Sequence, residues 1–328
     1  MKFLLFALIL TTGLTLNAQE KNEKLVKKNS FVTSLGLNKP YSVFLNPSDN
    51  FYYIANVMGH PDAENNQAQI SVLVFKDYEH YEPRHLKNNL PISTQYPKTT
   101  LSAPKGMVAW DNYLVIADLN ALAIFKTEVG KRPKQVARFP VKGAKSLDSI
   151  VRVDEVLYIS DSKAGGIYKI SNFEDKQNRK IEALTKVPSP TGMIYDTEND
   201  SLLIVSSKVN KLYEFNLTDK KKSAAFTIGT KSDTNRGFTG ICMGNQRELY
   251  LTHYDLGRIF VYFRDADRPA TIKKTMKVAK TFIKDLTTPT GIIYDSSQNR
   301  IAFLEFEINQ LTFKNGLAPQ NTSESLKE

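Results

Sequence analysis

Runs of three to five apolar or β-branched residues recur along the chain, each ending on a polar residue. Tyr113 to Ala117 runs into Asp118, Leu157 to Ile159 into Ser160-Asp161, Leu203 to Val205 into Ser206-Ser207, and Ala302 to Leu304 into Glu305. Runs this short predict β-strands. Their nearly continuous apolarity, in place of strict alternation, predicts strands buried on both faces. Asp111-Asn112, Asp154-Glu155, Gly244-Asn245 and the longer Asp196 to Ser201 stand just ahead of such runs and predict hairpin turns.

The runs belong to a longer repeat: Pro-x-Gly-apolar, a short polar turn, a strand ending in a polar residue, then an Ile or Leu followed by an aromatic. Copies begin at Pro104-Lys105-Gly106, Ser146 to Val151, Pro190-Thr191-Gly192, Phe238-Thr239-Gly240 and Pro289-Thr290-Gly291, with a looser first copy at Pro40-Tyr41-Ser42. The glycine position falls at 106, 149 (a serine), 192, 240 and 291, in steps of 43, 43, 48 and 51. A β-rich unit of this period predicts propeller blades of four strands. The glycine has a mechanical reason: innermost strands converge on an axis, and a residue without Cβ lets their backbones approach. Weaker outer strands are expected at Lys134 to Phe139, Lys180 to Val187, Ala224 to Gly229 and Lys277 to Ile283. The sixth unit ends after Lys314 without one, and Phe31 to Leu35, ahead of the first unit, can fill that place and cover the open edge. The fold expected is therefore all-β: a six-bladed β-propeller over residues 29–314, closed by an N-terminal strand and followed by a flexible polar tail at 315–328.

Composition adds the compartment. Residues 1–18 read as a signal peptide, with Lys2 as the basic start, an apolar run from Phe3 to Leu16 and Ala18 before the cleavage point. The run is shorter than the roughly 20 residues of a spanning helix, so the chain is expected to be secreted or periplasmic and not transmembrane. Its 44 Lys and Arg against 34 Asp and Glu give a charge of +10. Export makes nucleic acid an improbable partner for that charge, and the basic clusters at 131–134, 220–222 and 273–280 fall beside outer strands, where they discourage edge pairing. A monomer is expected. The lone Cys242, between Ile241 and Met243, reads as a buried small hydrophobe and excludes an internal disulfide.

The Pro-x-Gly-apolar start, the Leu-Tyr-Ile-Ser-Asp second strand and the following Gly-Ile-Tyr resemble NHL-type repeats and the related senescence marker protein/gluconolactonase-like six-bladed propellers. The resemblance implies one divalent cation (Ca, Zn or Mn) at the channel mouth. In gluconolactonase-type enzymes it is held by a Glu early in the first blade, an Asn before a blade-opening Gly and an Asp from a further blade. Here Thr191 stands at the Asn position, and Asn38-Lys39-Pro40-Tyr41 replaces the early Gly-Glu-Gly-Pro context.

Two rings of side chains are expected on one face of the disc. The residues before the glycine form the first: Tyr41, Lys105, Asp148, Thr191, Thr239 and Thr290. The ends of the second strands form the other: Asn56, Asp118, Asp161, Ser207, His253 and Glu305. Short polar residues such as Asp118 and Asp161 commonly bond their own turns. Lys105, Asp148, His253, Glu305 and Asn56 are the ligand-binding candidates, and Asp148, His253 and Glu305 the metal candidates. Lys105 and Asp148 are expected to pair across the mouth, or Lys105 to bind an anion. A long loop from Val57 to Gln69, carrying His60, Asp62 and Glu64, reads as a polar loop or lid over the same face, with a metal cluster as the alternative; a second lengthening spans Asp77 to Thr100. No nucleophile elbow, His-Glu-x-x-His or phosphate-binding glycine loop occurs. The function expected is capture of a small molecule or protein partner at the channel face without chemistry. The alternative is a metal-dependent hydrolase of lactonase or esterase type with a diverged site.

Overall fold

The computed structural model describes residues 30–33, 37–64, 66–75, 83–84, 101–127, 133–222, 226–227, 236–263 and 280–317. The leader at 1–18, the tail beyond Leu317 and most of the Asp77 to Thr100 lengthening lie outside the described residues.

All regular structure among the described residues is β. After β1 (Ser30–Thr33) come β2 (Pro40–Asn46), β3 (Phe51–Asn56), β4 (Gln69–Phe75) and β5 (Pro83–Arg84), which form one antiparallel sheet in that order. The next is β6 (Pro104–Trp110), β7 (Tyr113–Asp118), β8 (Ala121–Lys126) and β9 (Lys134–Pro140). Then follow β10 (Leu147–Val153), β11 (Val156–Asp161), β12 (Gly166–Ser171) and β13 (Lys180–Lys186), and β14 (Pro190–Asp196), β15 (Ser201–Ser206), β16 (Lys211–Asn216) and β17 (Phe226–Thr227). The last two sheets are β18 (Phe238–Met243), β19 (Leu249–His253), β20 (Arg258–Tyr262) and β21 (Lys280–Ile283), and β22 (Pro289–Asp295), β23 (Arg300–Glu305) and β24 (Gln310–Asn315) with β1 beside β24. β1 runs antiparallel to β24, Ser30 opposite Lys314 and Thr33 opposite Leu311. The first strands of the sheets touch in cyclic order: β2, β6, β10, β14, β18, β22 and back to β2.

The continuous apolar runs follow from this stacking. On β7, Leu114 and Ile116 enter the cluster shared with Tyr53, Ala55 and Ile70 of the preceding sheet, while Val115 and Ala117 enter the cluster shared with Ile150 and Ile159 of the next. On β15, Leu202 and Ile204 face one neighbour and Leu203 and Val205 the other. Alternation persists, but both faces are core, and truncating such a side chain to alanine costs about 2–5 kcal/mol. The tight turns use the residues that tolerate a left-handed backbone: Asp111 at φ 49° and Asp154 at φ 50°.

The first strands approach as closely as the repeat predicts. A Cβ on Gly106 would lie 2.5 Å from the carbonyl oxygen of Asp148 and 2.7 Å from the nitrogen of Ile150. One on Gly291 would lie 2.6 Å from the Cα of Ser42. Where a serine replaces the glycine it bridges strands: the Met193 N–H donates to Ser149 Oγ at 3.1 Å. Between these strands runs a cavity of about 190 Å³, with Tyr41, Asp148 and Thr239 among its polar lining and Ile150, Ile194 and Ile293 among its apolar lining.

Candidate functional site

Each first strand pairs with its neighbour through an irregularity at the repeat's signature. Register slips between Pro40 and Ser42, Pro104 and Met107, Leu147 and Ile150, Pro190 and Met193, Phe238 and Gly240, and Pro289 and Ile292. A bulge re-aims the residue it contains, and here those residues are the first ring. Half of that ring is used up in holding sheets together. Thr191 Oγ1 donates to the carbonyl of Phe238 at 2.7 Å, Thr239 Oγ1 to that of Pro289 at 2.9 Å, and Thr290 Oγ1 to that of Pro40 at 3.2 Å.

Tyr41, Lys105 and Asp148, on β2, β6 and β10, break the threonine pattern and make a different structure. Lys105 is 2% exposed, and its ammonium reaches Ser146 Oγ at 2.8 Å, Asp62 Oδ1 at 3.2 Å and Asp148 Oδ2 at 3.5 Å. Ser146 Oγ in turn donates to Asp62 at 2.6 Å. The Tyr41 hydroxyl donates to Asp148 Oδ2 at 3.1 Å and accepts from Arg236 Nη2 at 3.2 Å. Arg236 also stacks over Tyr254, 4.3 Å from the ring centre. The result is a chain, Asp62–Lys105–Asp148–Tyr41–Arg236, along one side of the channel mouth.

Electrostatics follow from burial and pairing. Burial pushes the Asp148 carboxyl above the ordinary range, and Lys105 and the Tyr41 bond offset this only in part. Burial works against the charge on Lys105, but Asp148, Tyr41 and Asp62 outweigh it and hold the ammonium above its usual pKa. At Asp62 burial acts upward, yet Lys105, Ser146 and Lys163 prevail and hold it at about 2. Burial, then the nearby Asp148, raises the Tyr41 phenol.

The other candidates lie elsewhere. Asn56 Oδ1 accepts the N–H of Asn38 at 2.9 Å, and Glu305 Oε2 that of Thr287 at 2.7 Å. Asp118 takes the N–H groups of Ser102 and Ala103 at 2.9 and 2.7 Å, and Asp161 those of Lys145 and Ser146 at 2.7 and 3.1 Å. These side chains tie down the segment entering the first strand of their own sheet. The matching serine is Ser206, paired with Pro190, and not Ser207 as its sequence position suggests. His253, opposite Phe238, accepts the Leu256 N–H on Nδ1 at 3.3 Å and packs 4.9 Å from the Phe238 ring. Its Nε2 is buried without a hydrogen-bond partner among the described residues, and burial holds its pKa down at about 4. Asp148, His253 and Glu305 do not converge, and no group of three or more His, Cys, Asp or Glu suited to a metal occurs among the described residues. The residues therefore do not fit the cation that the gluconolactonase resemblance implies. His60 and Glu64 do not join Asp62 in such a group either. Cys242 is 6% exposed with its thiol pushed up by burial.

Sequence reasoning placed Tyr41 in the first ring without making it a candidate, and passed over Ser146 and Arg236. Tyr41 carried the signal, since it departs from the threonine pattern as Lys105 and Asp148 do. Arg236 carried none, being 195 residues from the tyrosine it meets. Asp62, named as part of the Val57 to Gln69 loop and of its alternative metal cluster, reaches Lys105 from that loop.

No protein-family model and no curated protein matches the chain. Among solved structures, virginiamycin B lyase from Staphylococcus aureus is 14% identical, with 88% of this chain and 99% of the lyase covered at a TM-score of 0.55. A catalytically inactive variant of that lyase with quinupristin is 16% identical over 88% and 99%, at 0.54. The gluconolactonase XC5397 from Xanthomonas campestris is 10% identical, with 87% and 89% covered at a TM-score of 0.57. At such identities the likeness is one of fold, and this chain has a β-propeller fold.

Proposed function

We propose that the protein is an exported six-bladed propeller, its ring closed by β1, that acts as an enzyme on a small lactone- or ester-type molecule at the mouth formed by β2, β6 and β10. The observation that carries this reading is Asp148: a buried carboxyl with a raised pKa, hydrogen-bonded to Tyr41 and 3.5 Å from the Lys105 ammonium. A carboxylate whose pKa is lifted toward neutrality suits a general base. Lys105 and Arg236 supply positive charge beside it for the oxyanion of an acyl transfer step. The fold's likeness to a lyase and a gluconolactonase supports chemistry over bare capture.

A second reading, capture of a small molecule or protein partner without turnover, has one observation in its favour. The three N–H donors of Lys105 all meet acceptors within the protein, as a purely structural ion cluster would have it. A pH-indicator screen over simple lactones and chromogenic esters separates the two. The enzyme reading expects turnover of at least one class, rising with pH through a carboxyl pKa above the usual range. Absence of turnover across the screen, with binding of the same compounds retained, would overturn it in favour of capture.

A further inference from the structure

Two carboxylates and a hydroxyl from two segments converge at the channel mouth: Asp62 from the loop after β3, and Asp148 from the start of β10 with Ser146 just ahead of it. An all-oxygen set of this kind is what a hard divalent cation selects. The point at which the three converge is taken by Lys105 Nζ, which lies 2.8 to 3.5 Å from all of them and is almost wholly buried. The chain has made this choice at one position only. At the five equivalent bulges stand Tyr41, Asp148 and three threonines, none of them cationic. Nor is the cluster an accident of a crowded surface, because Lys105 comes from an inner strand whose aim is set by its bulge.

We infer that the Lys105 ammonium is a built-in cation standing in for a bound divalent metal ion, so that this channel mouth is assembled and works without one. The charge balance agrees: the two carboxylates are met by Lys105 directly, by Lys163 at 3.5 Å from Asp62, and by Arg236 through the Tyr41 hydroxyl, leaving no net negative charge to recruit a second cation. The inference rests on this mouth being the functional site, but its readout is metal binding. A failed activity screen and a failed metal experiment are therefore distinguishable.

The test uses the full chain, with elemental analysis after dialysis and melting curves in calcium, manganese or zinc chloride. Wild-type protein is expected to carry no stoichiometric divalent cation and to melt at the same temperature in all three salts. Lys105→Ala uncovers Asp62, Ser146 and Asp148. It is expected to gain a saturable rise of about 3 °C or more in calcium or manganese, abolished in Lys105→Ala/Asp148→Asn. If Lys105→Ala is unfolded in chelator, recovery of its melting transition on adding either ion supports the inference equally. Two results would overturn it: a stoichiometric divalent cation in wild-type protein, or a Lys105→Ala protein that neither binds nor is refolded by calcium or manganese.

Discussion

Gly106→Ala places a methyl group where the backbone of β10 already lies. The added Cβ would stand 2.5 Å from the Asp148 carbonyl oxygen, 2.7 Å from the Ile150 nitrogen and 2.9 Å from the Ser149 carbonyl carbon. All three are main-chain atoms in a strand held on both sides, so no side chain can swing away, and β6 and β10 must separate. Overpacking of this kind typically costs 1–3 kcal/mol, and the rigid neighbours argue for about 3 kcal/mol. Gly166 on β12 is the control. A Cβ there meets only the Tyr168 ring, at 3.8 Å and 3.9 Å, which is ordinary contact. Gly166→Ala is expected to be neutral or to stabilise by about 0.5 kcal/mol through the unfolded chain. In urea unfolding the two variants should differ by about 3 kcal/mol, or by about 5 °C in melting temperature for a domain of this size. Gly106→Ala should also weaken whatever the mouth binds, since it moves Lys105 and Asp148 with their strands. Equal stability of the two variants would refute the argument that converging inner strands require the glycine.

Three further outcomes are expected. His253 is neutral when folded, with a pKa near 4 against about 6.5 unfolded, so its contribution is complete above pH 6.5 and is lost as the pH falls toward 4. His253→Asn keeps an acceptor for the Leu256 N–H three residues on, as Asp161 does for the Ala164 N–H, and should remove up to about 3 kcal/mol of that acid loss, read by urea midpoints between pH 7 and pH 4. Asp118→Ala strands the buried N–H groups of Ser102 and Ala103 and should cost about 3 kcal/mol, whereas Glu307→Ala, which breaks an exposed pair with Lys39, should change stability by less than about 1 kcal/mol. Thr290→Val removes the bond to the Pro40 carbonyl across the meeting of the first and last sheets and should cost about 1 kcal/mol in the same assay.

Much of the scaffold was legible because it is periodic. The recurring glycine, the hairpin residues and the doubly apolar strands each express a local rule repeated along the chain, with serine in place of the glycine at 42 and 149, and Gly106 and Gly291 sit where that rule places them. What escaped notice depends on register or on distance. Ser206 and Ser207 are indistinguishable until the pairing with Pro190 is known. The two-residue strand β5 lies in a stretch too polar to announce itself. At the site, Lys105 and Asp148 were expected to pair as charged neighbours of the first ring, and the structure brings these two together. At the ends of the second strands, the choice of Asn56, His253 and Glu305 picked side chains that bond backbone N–H groups of their own sheets. Size and charge alone do not distinguish a side chain aimed into a channel from one turned back onto backbone N–H groups. The bulge that makes this distinction is invisible in composition.

On the proposed function, the side of the mouth bearing Asp148 does the chemistry, while the equally buried aspartates of the second ring hold the scaffold. The most direct measurement is turnover and stability of Asp148→Asn beside Asp161→Asn, on whichever lactone or ester the wild-type protein accepts. The prediction is that Asp148→Asn loses turnover by about 100-fold or more while staying folded, and that Asp161→Asn loses stability while its folded fraction turns over normally. Retained turnover in Asp148→Asn, or a selective loss of turnover in Asp161→Asn, would contradict it.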